Sequence, residues 1–234
     1  MKTYVIGDIH GAYRALVQCF ERVRFDYKTD HLIALGDVCD GWPEVHLCIE
    51  ELLKIKHLDY ILGNHDQWAI AWAEKGFKQD IWLSQGGLNT LVSYKHKHMP
   101  KTHLDFLKKA HPGLELEKRL FVHAGIDPNK NIHAQTMETL LWDRNLIHRA
   151  YLLNITNPEF RFRNYDEIFI GHTTTQFFNS DLPLKLCNIW ALDTGAGWSG
   201  KLTIMDVETK EYWQSDPTPS LYPDQKGRLA NSSD

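Results

Sequence analysis

Short apolar runs and amphipathic stretches alternate through the first third of the chain. Tyr4-Val5-Ile6 is a brief strand-like run, and residues 12–24 then place Ala12, Leu16, Cys19, Phe20 and Val23 on one face at helical spacing. His31-Leu32-Ile33-Ala34-Leu35 predicts a second strand. Pro43 suits a first helical position beyond it, with Val45, Leu47, Cys48, Leu52, Leu53 and Ile55 filling an apolar face. Leu58-Asp59-Tyr60-Ile61-Leu62 predicts a third strand, and the helix after it stops near Gly76. Strand followed by helix, three times over, implies right-handed crossovers between neighbouring strands and an α/β fold. The middle, about 80–114, reads as a helical, His/Lys-rich cap beside a cleft. Leu120-Phe121-Val122 and Glu167-Ile168-Phe169-Ile170 return to strands, and 188–192 and 202–207 read as antiparallel closing strands. A single domain is expected over 1–215, with 216–234 as a Pro/Ser-rich, flexible or surface-draped extension.

Composition narrows this picture only slightly. A chain of 234 residues, 43% hydrophobic, can bury a full core. A net charge of −4 supplies no basic field for tracking nucleic acid. No run approaches the ~20 apolar residues of a membrane span, and nothing at the start resembles a signal peptide. The cysteines (Cys19, Cys39, Cys48 and Cys187) lack C-x-x-C spacing, and Cys19 and Cys48 fall on apolar helix faces. They are expected to be reduced and buried in a cytoplasmic protein.

The chemistry lies in the loops that follow the strands. Gly7-Asp8-Ile9-His10-Gly11, Gly36-Asp37-Val38-Cys39-Asp40, Gly63-Asn64-His65-Asp66, His123-Ala124-Gly125 and Gly171-His172-Thr173 each end a strand-like stretch. The step from His10 to Asp37 equals that from Asp37 to Asn64, 27 residues, close to one strand-helix unit. In such sheets the site lies beyond the strand carboxyl ends, where these islands sit. Their oxygen and imidazole donors, without a thiolate, suit divalent metals that keep open positions. Asp8 and His10 can hold one metal, and Asn64, His123 and His172 a second, with Asp37 bridging. Two cations ~3.5–4 Å apart clamp a phosphoryl group and lower the pKa of a shared water toward ~7. That chemistry is phosphoester hydrolysis. His65, next to Asn64 in sequence, is the candidate general acid, and Asp40 can orient it. Arg144, with Asn64, is the candidate phosphate contact.

These motifs resemble the calcineurin-like metallophosphoesterases, and more closely their phosphoprotein-phosphatase branch, with G-D-x-H-G, G-D-x-x-D-R-G, G-N-H-E, H-A-G and G-H-T. Gly171-His172-Thr173-Thr174 lacks the second His of the related G-H-x-H enzymes, which favours the phosphatase branch. The chain is similar to the compact bacterial and phage members of the lambda type. Trp142-Asp143-Arg144 stands at their W-x-R and Leu192-Asp193-Thr194-Gly195-Ala196 at their D-T-G-A turn. The resemblance covers roughly residues 3–213. It implies a four-layer αββα sandwich of two mixed sheets, and a dinuclear centre preferring Mn²⁺, with Fe or Zn as alternatives.

Two departures bear on the substrate. Asp40-Gly41-Trp42 replaces D-R-G, so an arginine contact worth about 1.5–3 kcal/mol is missing. Arg161 or Arg163 is a candidate replacement, and Trp42 a candidate aromatic wall. Asp66 stands where the phosphatases carry Glu, as in the G-N-H-D of symmetrical diadenosine tetraphosphatases. The leading expectation is therefore a serine/threonine phosphatase-like enzyme acting on phosphorylated protein or peptide. The alternative is a symmetrical dinucleoside-tetraphosphate hydrolase with a nucleotide-type phosphoester substrate. A catalytically silent binding module comes third.

Overall fold

The computed structural model describes residues 1–157, 159–162 and 164–228. β1 (Thr3–Ile6), α1 (Tyr13–Val23), β2 (His31–Ala34), α2 (Val45–Leu52) and β3 (His57–Tyr60) form the expected repeat. α2 starts two residues later than Pro43 suggested, with Glu44 as its cap. α3 (Asn64–Lys75) ends on Gly76 at φ 67°, a left-handed cap that glycine adopts without a Cβ penalty. The middle is helical: α4 (Asp80–Trp82), a π-type turn (Leu83–Gly87), α5 (Leu88–Ser93) and α6 (Lys101–Lys108). Then come β4 (Leu114–Leu116), β5 (Arg119–Phe121), α7 (Met137–Trp142), α8 (Asn145–Thr156) and β6 (Glu167–Ile170). β7 (Leu184–Leu186), β8 (Ile189–Ala191), β9 (Thr203–Asp206), β10 (Tyr212–Gln214) and α9 (Thr218–Leu221) complete the order.

The strands make two mixed five-stranded sheets, ordered β10-β9-β1-β2-β3 and β4-β5-β6-β8-β7. Alternation along each strand explains why they stack. Tyr4, Ile6, Leu32 and Ala34 join the core under the helices of the first sheet. Val5, Ile33 and Leu35 point the other way, against Phe121, Phe169 and Met205, in the layer between the sheets. Phe121 and Phe169 stack there with centroids 4.8 Å apart. Leu120, Val122, Ile168 and Ile170 face α8 on the far side. Strands covered on both faces are apolar throughout, which is why they appear in the sequence as unbroken runs. The result is the αββα sandwich.

One expected strand arrangement is corrected. β8 lies parallel to β6, with Phe169 opposite Trp190, and only its other edge is antiparallel, to β7. The hairpin turn runs through Cys187, at φ 57°, and a three-residue β7 carries too little pattern to be seen in sequence. β9 does close antiparallel, but against β1 of the first sheet. The four cysteines are free and buried. His103, in the first turn of α6, is buried and hydrogen-bonded to the Tyr94 hydroxyl at 2.9 Å. Among the described residues, no helix is long and apolar enough to cross a membrane.

Residues of the segment 216–228 pack back on the first sheet's helices. Asp216 accepts from Arg22 Nη2 at 2.6 Å and from Gln18 Nε2 at 3.0 Å. Tyr222 is buried, stacks on Trp42 and hydrogen-bonds Glu44.

Candidate metal centre

The islands leave the carboxyl ends of β1, β2, β3, β5 and β6 and converge. His10, Asp37, Asp40 and His172 all take positive φ, between 49° and 69°. Non-glycine residues rarely occupy that region, and such backbones cluster where loops must aim side chains at one point. Two glycines make the approach possible. A Cβ at Gly63 would lie 2.0 Å from Asp37 Oδ1, and one at Gly171 2.0 Å from Asp8 Oδ1.

Hydrogen bonds orient the donors. His10 gives its Nδ1–H to Cys39 O at 3.0 Å, and His123 gives its Nδ1–H to Leu35 O at 2.8 Å, which crosses between the sheets. Both rings thereby turn Nε2 inward, the arrangement of metal-binding histidines. His10 Nε2 lies 3.9 Å from Asp8 Oδ2 and 3.7 Å from Asp37 Oδ2. His123 Nε2 lies 3.4 Å from Asp37 Oδ2 and 2.9 Å from Asn64 Oδ1. His172 Nδ1 is 3.0 Å from the same Asn64 oxygen, and the His172 backbone N–H donates to Asp8. Asp37 thus stands between two groups, one with His10 and His65, the other with His123 and His172.

The electrostatics are those of a charge-starved pocket. Burial, then Asp193, pushes the Asp8 carboxyl well above its usual range. Burial opposes ionisation of Asp37 too, but His123 and His65 outweigh it and hold its pKa well below normal. His123 rises to about 10, because Asp37 overcomes the cost of burying the imidazolium. His172 falls to about 2 through burial and the nearby His123 and Arg144. Its Nε2 is buried without a hydrogen-bond partner. Buried carboxylates, inward imidazoles and an orphaned ring nitrogen fit divalent cations, which would take the protein donors and neutralise the acids.

His65 and Asp40 meet as expected, Nδ1 to Oδ2 at 2.6 Å. Asp40 also accepts from Trp82 Nε1 at 2.9 Å and from the Thr90 hydroxyl at 2.6 Å. Neither partner was visible in sequence, since both come from the aperiodic middle segment. Arg144 lines the cleft with His65, His172, Trp68 and Trp142, around a cavity of about 320 Å³. Its Nη1 donates to the Thr173 hydroxyl at 3.3 Å.

Two expectations about the second island are revised. Trp42 is 1% exposed and donates Nε1–H to Ala196 O at 2.7 Å, so it cannot wall the cleft. Trp68 and Trp142 do so instead, with centroids 5.0 Å apart. Arg161 is exposed and does not line the cavity, and Arg163 lies outside the described residues. The arginine that does line it, besides Arg144, is Arg228. The only signal for it in sequence was the vacancy at Gly41.

The fold and this donor set define a metal-dependent phosphoesterase. The chain belongs to the calcineurin-like phosphoesterase family, which it matches over residues 1–176. It is 25% identical to serine/threonine-protein phosphatase 1 of Salmonella typhimurium over 214 residues, 88% of this chain and 91% of that protein. It is 26% identical to the symmetrical bis(5'-nucleosyl)-tetraphosphatase of Coxiella burnetii over 278 residues, 91% of this chain and 92% of that protein. Among solved structures, a metallophosphoesterase from Sphaerobacter thermophilus superposes with a TM-score of 0.60 at 15% identity, covering 99% of this chain and 98% of that one. A protein serine/threonine phosphatase from Saccharomyces cerevisiae gives 0.63 at 14%, covering 98% of this chain and 83% of that one. At those identities the structural likeness speaks for the fold.

Proposed function

We propose that the chain is a phosphomonoester hydrolase of the serine/threonine protein phosphatase type. The carrying observation is the His65–Asp40 pair at 2.6 Å, with His65 on the wall of a small cavity that Asp37, Asn64, His172 and Arg144 also line. Asp8, His10 and Asp37 would hold one cation, and Asp37, Asn64, His123 and His172 the other. The family resemblance points to Mn²⁺, with Fe and Zn as alternatives, and the oxygen-and-imidazole set is compatible with each. When bound, such ions supply Lewis acidity and a water nucleophile at neutral pH, the latter by lowering its pKa to about 7.

The protein's own groups do the rest. Arg144 binds the phosphoryl oxygens from the rim. Asn64 gives its amide oxygen to the donor set and keeps its amide nitrogen for the phosphate. Asp40 accepts the Nδ1–H of His65, which fixes the ring and leaves Nε2–H to protonate the departing alkoxide. Protonation matters most for a serine or threonine leaving group, whose alkoxide is strongly basic.

The Salmonella phosphatase covers its share of this chain within 214 aligned positions, the Coxiella tetraphosphatase within 278, so the former needs less insertion. That favours the phosphoprotein substrate. A second reading, hydrolysis of symmetrical dinucleoside tetraphosphates, is favoured by the Trp68–Trp142 wall, since Trp142 is 38% exposed and can stack a base. The free, buried cysteines suit a reducing compartment, and we place the enzyme in the cytoplasm.

One Mn²⁺-supplemented panel decides among these readings: p-nitrophenyl phosphate, a phosphoserine peptide and diadenosine tetraphosphate. Turnover of the first two is expected. A large kcat/KM preference for the dinucleotide would replace the lead substrate class, and no turnover on any would sink the hydrolase reading of this site.

A further inference from the structure

We propose that Arg228 is a second phosphate-binding residue, carried into the cleft from the far end of the chain by the segment 216–228. The inference rests on the phosphoester reading of the site.

Three glycines make room for it. Gly41 sits at φ 78°, and a Cβ there would meet both Cβ and O of His10 at 2.8 Å, so no side chain grows from the second island at this point. A Cβ on Gly86 would lie 3.2 Å from Gly41 Cα and 3.1 Å from Arg228 Cγ. A Cβ on Gly197 would lie 3.1 Å from Arg228 Cδ. The stem of Arg228 therefore runs past Gly41 in a slot that larger residues would fill. Its backbone N–H donates to Gly197 O at 3.2 Å, and its guanidinium carbon lies 4.3 Å from the centroid of the Trp198 ring.

The segment that delivers it is anchored on both sides of α9. Asp216 pairs with Arg22, Arg14 lies 4.6 Å from the Tyr222 ring centroid, and Tyr222 stacks on Trp42 with centroids 4.7 Å apart. The tryptophan that follows the missing arginine thus fastens the segment that brings another one. A Cβ on Gly227 would strike the Trp42 ring at 2.7 Å, so the chain passes directly over it.

The guanidinium itself is incompletely satisfied. Nη2 donates to Gln85 Oε1 at 2.8 Å, and Nη1 lies 3.3 Å from His10 Nε2. Nε is buried with no partner at all. Among the described residues, no carboxylate lies within ion-pair distance of it. A largely desolvated cation with spare N–H groups calls for an oxyanion. Were His10 Nε2 to hold a divalent ion, its lone pair would no longer be open to Nη1, which would then lack that contact. A phosphoryl group in the cavity shared with Arg144 meets the need of both guanidinium groups.

The test compares wild type with Arg228→Ala and Arg228→Lys as full-length, Mn²⁺-loaded protein. It reads kcat/KM on p-nitrophenyl phosphate and, separately, the affinity for inorganic phosphate by calorimetry. Arg228→Ala should lower kcat/KM about 10- to 100-fold and weaken phosphate binding about 10-fold. Arg228→Lys, which keeps the charge but not the fork, should fall between, and added guanidinium should restore part of the Arg228→Ala loss. Arg161→Ala serves as the control and should match wild type. Values for Arg228→Ala within two-fold of wild type in both readouts would overturn the proposal. So would lost turnover with unchanged phosphate affinity, since that separates Arg228 from the anion. Should Arg228→Ala fail to fold, the same comparison is read on Arg228→Lys. If wild type turns over no phosphoester yet binds phosphate in an Arg228-dependent way, the binding role stands and the hydrolase reading falls.

Discussion

Asp40 Oδ2 lies 2.6 Å from His65 Nδ1, and neither side chain is more than 4% exposed. Trp82 and Thr90 occupy the rest of the carboxylate, so Asp40 is surrounded by donors and can only accept. His65 must therefore present Nδ1–H to Asp40, and its Nε2 is left for the cleft. Replacing Asp40 by Asn should lower kcat on a phosphoserine peptide by about 10²-fold or more, the usual scale of general acid catalysis. On p-nitrophenyl phosphate, whose leaving group needs no proton, the loss should be much smaller. His65→Asn should show the same split while retaining its metals. Equal losses on the two substrates would count against His65 as the acid.

Chelation should soften the protein as well as silence it. Burial, then the charge of Asp193, pushes the Asp8 carboxyl upward, burial pushes Asp193 upward too, and burial also works against Asp37. Cations that bind only the folded state stabilise it by about 2.7 kcal/mol at 100 times their Kd. For a chain of this size that corresponds to a Tm change of roughly 5–10 °C. Scanning calorimetry with a chelator, then with Mn²⁺ restored, should show a reversible shift of that order. An unchanged Tm would mean that the convergence of Asp8, Asp37 and the three histidines serves no ion.

The donor set could be read from sequence because each island follows an apolar strand, and the topology delivers all strand ends to one edge. The αββα layering was legible only through the family resemblance, since period-two alternation is masked where both faces of a strand are covered. Trp82, Thr90 and Arg228 were not legible. Trp82 and Thr90 lie around the π-type turn, where Gln85 and Gly86 leave helical geometry and periodicity is lost. Arg228 lies 218 residues from the His10 it touches, in a stretch whose composition says only that it is polar. Trp42 misled for a related reason. An aromatic beside a site can line it or brace it, and only Tyr222, far along the chain, decides which.

Acid should weaken the link between the two sheets. Glu167 on β6 is half-buried and accepts from Lys210 Nζ at 2.7 Å, Arg119 Nε at 3.0 Å and Trp190 Nε1 at 3.1 Å. Burial opposes its ionisation, but Lys210, Arg119 and Trp190 together outweigh that and hold its pKa below the usual value. A depressed carboxyl stabilises the fold above its unfolded pKa, near 4.3, and the benefit disappears as pH falls through the lower folded value. Glu167→Gln should thus cost about 1 kcal/mol at pH 7 after solvent screening. Its difference from wild type should close below about pH 4. Urea melts at pH 7 and pH 3.5 measure both, and a difference that persists in acid would show that packing rather than charge is responsible.

Asp66 supports the second island from beneath, which is why its shorter side chain matters. One carboxylate oxygen accepts from the backbone N–H of Asp37 at 2.9 Å, from Gly63 N–H at 3.0 Å and from the Tyr60 hydroxyl at 2.7 Å. The other accepts Cys39 N–H at 3.1 Å. With no exposure at all, the side chain accepts from the N–H groups of Asp37, Cys39 and Gly63, for which no backbone partner is found among the described residues. Asp66→Ala would strand them in a dry pocket, at a cost of about 3–5 kcal/mol. Asp66→Glu, the residue found in the resembling phosphatases, adds a methylene to a fully buried side chain with four hydrogen bonds and should cost about 1–3 kcal/mol. Because Asp37 stands between both donor groups, each variant should also weaken Mn²⁺ binding measured by calorimetry, in the same order as the loss in Tm. Destabilisation without weaker metal binding would show that the turn at Asp37 holds its shape without Asp66, and that the donors around it are positioned by Gly63 and His65 alone.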